Sequence, residues 1–337
     1  MDLFHYAVSA QHSGELHNLR ERSLEIKKLL LQLLLGMPLL LGAMEYRGYS
    51  GCTELKNPVC RVVIAGALGC RVLEFSYKNE NAVLVNPRHD GIHWESGPAP
   101  FEQSGARFDV GPELTAPKHD SVWLGTWSGR QLSPLAAEWE SPPDPESPFR
   151  VTRKFELDPA LPRLTITQTV VNQSSEALAL QYWGRAWFRP GGTVKIPLPP
   201  RGLRRFPAGY VQYESEERPG VLNLTPEDPM IREVDGFLEI RPLPKFSKNT
   251  FEAGKPFAIY ELPYGQTLVV RFPIDPERAS ADIAGGNFCI CFNRWFCEME
   301  ALGPRELVAP GESFRYTESW QLYDTSQFNL KEGEEHE

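Results

Sequence analysis

The sequence has no surplus of basic residues: 35 Lys and Arg stand against 44 Asp and Glu in 337 residues, a formal net charge of −9. That balance excludes a broad nucleic-acid surface, which needs excess Lys and Arg to neutralise phosphates. The basic cluster RGLRRF, Arg201 to Phe206, is short, bounded by prolines and reads as a solvated loop. No C-x-x-C pair occurs among the six cysteines, so a zinc knuckle is not expected. The spacings of His and carboxylate residues match no strong ligand motif either, and neither a metal nor a cofactor is expected. No repeat of 20 to 50 residues stands out, which disfavours a propeller. The N-terminal apolar stretch, Leu29 to Ala43, falls short of the roughly 20 residues a spanning helix needs, so no stable membrane span is expected.

Two lysines precede that stretch in IKKLLLQLLLGMPLLLGA, 26–43, as in a signal peptide, yet the 25 residues upstream are polar and mixed in charge. Three readings stay open for residues 1–43: a signal with a long upstream extension, which is preferred, an amphiphilic helix, or a leader before a start at Met44. The first implies an exported protein, and the others a cytoplasmic one. Cys52 and Cys60 are candidates for a small disulfide loop in an exported protein, whereas Cys289, Cys291 and Cys297 read as buried thiols in a strand-like region.

After Met44 the helical signal almost vanishes. Arg61–Tyr77 reads as two strands around a glycine bend, and FRVTRKFEL (149–157) and RLTITQTVVNQ (163–173) alternate apolar and polar residues. So do GFLEIRPL, FAIYEL, TLVVRFPI, FCICFNRWFCEMEAL and SFRYTESWQLY, with Pro- and Gly-containing turns between them. Many short strands without alternating helices predict an all-β sandwich or barrel. One β domain is expected over residues 44–326, followed by a disordered acidic tail, 327–337.

Near the C-terminus, a glutamate-bearing strand, the turn L-x-x-P-G-E (Leu307–Glu312) and the closing E-S-W-Q-L (Glu318–Leu322) follow one another. Together with GGTVKIPLP and ARFDVGPE…PKHDSVWLGTW, they resemble the galactose-mutarotase-like superfamily of aldose 1-epimerases, and its uncharacterised bacterial members in particular. The resemblance covers about residues 46–323 and implies a large antiparallel β-supersandwich that binds a sugar. It also implies chemistry, in which a glutamate on the penultimate strand takes the anomeric proton while a histidine protonates the ring oxygen. Glu298 or Glu300 matches the base position. Residues two apart share a strand face, so both carboxylates are expected in one cleft, each raising the other's pKa. The alternative is two solvent-facing glutamates on a half-exposed strand.

The acid does not match. In WGRAWF, Arg185 stands where the family has its histidine, and a guanidinium cannot donate a proton at neutral pH. It can clamp a carboxylate or a developing oxyanion, which favours an acidic sugar unless a glutamate neutralises it. Trp183 and Trp187 flank Arg185 and are candidate stacking faces for a sugar ring. His93 in GIHWESG and His119 in PKHDSVW are candidate substrate contacts, with ordinary surface histidines as the alternative. The functional expectation is a sugar-binding, epimerase-like isomerase; the alternative is a carbohydrate-binding or accessory β domain without catalysis.

Overall fold

A computed structural model describes residues 44–101, 104–214, 221–280 and 282–330. The signal-like segment 1–43 and the end of the chain from 331 lie outside the described residues. Phe328, within the expected tail, packs its ring 5.1 Å from that of Tyr323.

Two antiparallel sheets, of 13 and 10 strands, account for the described strands and form the large sandwich expected from the sequence. In the 10-stranded sheet the alternation is plain: along Arg163–Asn172 every second residue is buried, and Phe149–Leu157 repeats the pattern beside it. Such strands bury one face and wet the other. Trp320, on Ser313–Asp324, is fully buried and meets Phe75, Phe108 and Phe188 of the 13-stranded sheet at 5.4–6.0 Å, which closes the layer between the sheets. Arg153 crosses the same layer fully buried. It donates to the Gln168 side chain and to the carbonyls of Gly69 and Phe108, with its guanidinium 4.3 Å from the Trp127 ring centroid.

The middle of the 13-stranded sheet behaves differently. Its strands run in the order Arg71–Tyr77, Ala106–Gly111, Leu178–Phe188, Cys297–Ala301, Phe288–Phe292, Lys248–Phe251. Ala106–Gly111 and Cys297–Ala301 are buried at every position, hence on both faces. One face supplies Phe108, Tyr182, Phe188, Met299 and Ile290 to the core between the sheets. The residues between them, Arg107, Asp109, Trp183, Arg185, Glu298 and Glu300, therefore point to the other face.

The alternating run Phe288–Leu302 is a hairpin of two strands, Phe288–Phe292 and Cys297–Ala301. Asn293 makes the turn, its side-chain oxygen accepting from the backbone N–H groups of Trp295 and Phe296. The six cysteines are free thiols. Cys52 and Cys60 cannot form the loop considered from sequence, because Cys60 packs into the core between the sheets while Cys52 packs with Tyr49 and Leu73 in a separate cluster. No helix of the described residues is long and apolar enough to cross a membrane.

Candidate functional site

The charged face is organised by strand register. Leu178–Phe188 sets Trp183 opposite Asp109 and Arg185 opposite Arg107 on one side, and Trp187 opposite Glu298 on the other. The side chains then reach diagonally across the sheet, within the span of long residues. Arg185 Nε donates to Glu298 Oε1 at 3.1 Å, and Trp183 Nε1 donates to Glu300 Oε2 at 2.7 Å. The Arg185 guanidinium also sits 4.2 Å from the centroid of the Trp183 ring. Glu298 and Glu300 are thus held on one face with Arg185, from segments more than 100 residues apart.

The two carboxylates are buried, not solvent-facing: Glu298 is 4% exposed and Glu300 2%. Their environments separate them. Glu298 has the guanidinium. Glu300 has only the indole N–H on one oxygen; its other oxygen, Oε1, is buried without a hydrogen-bond partner. Burial, then the neighbouring Glu298, pushes the Glu300 pKa up to about 8, against the pull of Lys248, Arg185 and the Trp183 N–H. A buried orphan oxygen on a proton-holding carboxyl costs stability unless something completes it.

Several neighbours gave no distinctive signal in the sequence. Cys289 and Cys291 lie opposite Glu300 and Glu298 on the next strand, and Lys248 lies opposite Cys291 beyond them. The Lys248 ammonium pairs with Glu113 at 3.0 Å. Burial alone lowers its pKa, but the charges around it, Glu300 first, outweigh that and keep it raised. Two residues from Trp183, Gln181 donates its amide to Asp282 and accepts from Ser280, and Asp282 also accepts from the Glu113 N–H at 3.0 Å. Burial is the first cause that lifts the Asp282 pKa to about 6. Arg107 and Asp109, charged residues two apart in an apolar strand, carry the same signal as Glu298 and Glu300.

The remaining sequence candidates fare unequally. His119 comes to this face, but both ring nitrogens are engaged: Nε2 with Asp109 Oδ1 at 2.8 Å and Nδ1 with the Pro117 carbonyl. Burial opposes its protonation, yet Asp109 and the carbonyl leave its pKa raised, so it acts as a loop anchor with no nitrogen free for a ligand. His93 is not brought to the carboxylates; it sits edge-on to Tyr49 on Tyr49–Lys56. That strand is four places from Leu178–Phe188, on the order of 20 Å across the sheet. Neither tryptophan offers an open stacking face. Trp183 is 5% exposed beneath Arg185, and Trp187 is stacked on Phe296 at 3.6 Å. Large apolar residues in a tightly packed sheet face fill space before they offer it.

Among the described residues no group of three or more His, Cys, Asp or Glu is placed to hold a metal ion. A cavity of about 740 Å³, walled by Pro199, Pro200, Pro273 and Pro276, reaches Ser280 and Leu302 but none of the carboxylates above. Its arginines are already paired, Arg205 with Glu252 and Arg278 with Glu306, so the chemistry stays with Glu300.

Arg185→Ala leaves Glu298 buried without its cation. An expected loss of about 2–4 kcal/mol in urea unfolding follows, below the cost for a fully buried pair because Arg185 keeps some exposure. Arg185→Met with Glu298→Met should recover most of it; an unchanged single variant would mean that the pair carries no net stability.

No protein-family model and no curated protein matches the chain by sequence. Solved structures do match its fold. A protein of Escherichia coli K12, provisionally named an aldose 1-epimerase, aligns with a TM-score of 0.55 at 16% identity over 81% of this chain and 98% of its own. A galactose mutarotase-like protein from Lactobacillus casei gives 0.54 at 11% identity, over 81% and 100%. Another from Clostridium acetobutylicum gives 0.50 at 12%, over 83% and 97%. Two large antiparallel sheets in this arrangement, matched over four-fifths of the chain, give the protein the galactose mutarotase-like fold.

Proposed function

We propose that the protein binds a sugar hemiacetal at Glu300 and interconverts its anomers, with Glu300 as the proton carrier. The observation that carries this reading is the unpartnered Oε1 of a carboxyl that is 2% exposed, beside Arg185 and Lys248. Ring opening removes a proton from the anomeric hydroxyl and builds negative charge on the ring oxygen. A carboxylate whose pKa lies near the working pH is a strong enough base for the first step and gives the proton back readily. Arg185 and Lys248 hold their protons, so their part is electrostatic, stabilising the oxyanion while water supplies its proton. As a base, Glu300 acts when ionised, and the rate should rise with pH through about 8.

NMR exchange spectroscopy on galactose tests this: the protein should speed α–β exchange beyond buffer, with that rise in pH. A second reading, sugar binding without catalysis, is favoured by Arg185, which occupies Glu298 instead of supplying a proton. Bound sugar with no acceleration at any pH would select it.

A further inference from the structure

Lys248 contributes more than a charge. It reaches in from Lys248–Phe251, with its ammonium 5.9 Å from the Trp183 ring centroid and 5.4 Å from that of Tyr213. Its partner is unlike the others on this face. Glu298, the partner of Arg185, belongs to a buried strand, whereas Glu113 belongs to the loop after Ala106–Gly111 and its side chain is 40% exposed. The Lys248 side chain is 19% exposed. Backbone and side chain of Glu113 are held separately: its N–H is fixed on Asp282, and only its carboxylate is on Lys248. Rotation about the Glu113 side chain would therefore free Lys248 without moving the loop.

We infer that the Glu113 carboxylate is an internal stand-in for a ligand carboxylate, and that Lys248 is a binding residue for a sugar acid. The inference rests on the sugar binding at Glu300 proposed above. Exchange of one carboxylate for another keeps the half-buried ammonium paired in both states, so no cation is stranded. A neutral sugar offers no replacement charge and gains nothing from the exchange. Arg185 is not the source of this preference, because Glu298 already engages it inside the sheet. Asp282, the other acidic group nearby, accepts from two amide donors and does not compete for Lys248 in this arrangement.

Calorimetric titration with galacturonate and with galactose, on the wild type, Glu113→Gln and Lys248→Met, tests it. The wild type should bind galacturonate about tenfold more tightly, the scale of one sheltered charge-assisted contact. Glu113→Gln removes the competitor and should tighten galacturonate by a further several-fold to about tenfold, leaving galactose unchanged. Lys248→Met should erase the difference between the sugars. Equal affinities in the wild type, or a galacturonate affinity indifferent to Glu113→Gln, would overturn the inference while leaving sugar binding intact. Glu113→Gln, at an exposed side chain, keeps the test decisive if Lys248→Met fails to fold. Binding of neither sugar by any of the three proteins would overturn the sugar-binding function together with this inference.

Discussion

Glu300→Gln is expected to lower anomer exchange by about a hundredfold to ten-thousandfold, the range a positioned general base contributes. The substitution keeps the shape of the side chain and an oxygen to accept from Trp183 Nε1, but removes the group that takes up a proton. Stability should not fall, since a neutral amide replaces a carboxyl whose ionisation the site resists. The variant should melt at or above the wild-type temperature and still bind sugar. Undiminished exchange in a folded Glu300→Gln protein would remove Glu300 from the chemistry.

The second large effect is on stability as a function of pH, and it comes from the core between the sheets, from a strand of the 10-stranded sheet. Glu318 lies fully inside the core, bonded by Trp320 Nε1 at 2.9 Å. It fits because residue 184 is glycine: a Cβ there would lie 3.0 Å from Glu318 Oε2. Burial raises the Glu318 pKa to about 8, against 4.5 for a free side chain. The folded state thus keeps a proton that the unfolded chain releases. The contribution of Glu318 to stability is fully present below pH 4.5, falls as pH rises from there to about 8, and levels off above. At about 1.4 kcal/mol per pH unit, a few kcal/mol are at stake. Glu300, Asp282 and His119, all raised, slope the same way, so the comparison with Glu318→Gln isolates Glu318. That variant should be more stable than the wild type at pH 8.5 by about 2–4 kcal/mol and should lose the share of the slope that Glu318 supplies, with the share from Glu300 remaining. Denaturant melts from pH 5 to 9 check it, and parallel curves would show that Glu318 takes up no proton on folding.

The strands were legible where one face is wet. Arg163–Asn172 and Phe149–Leu157 alternate because solvent tolerates only polar residues on the outer side. The same alternation in Cys297–Ala301 placed Glu298 and Glu300 on one face, but said nothing of how deeply that face is buried. Depth depends on what lies above the sheet, and loops from distant segments supply it. Lys248 was invisible for this reason: its strand is four residues long, and its position opposite Cys291 is set by sheet order. His119 and His93 misled because a histidine in a loop carries no sign of its partner. Asp109 claimed one, and the other packs against Tyr49 far across the sheet. Trp183 and Trp187 did flank Arg185, yet packing turned one beneath the guanidinium and the other onto Phe296.

The central claim is that the unpartnered oxygen of Glu300 is where a sugar is held. A crystal structure of the protein soaked with galacturonate or galactose tests this most directly. The account predicts a sugar hydroxyl within about 3 Å of Glu300 Oε1, hydrogen-bonding distance, with Arg185 still on Glu298. A sugar bound elsewhere, with Glu300 Oε1 still unpartnered or completed by a protein group, would contradict it.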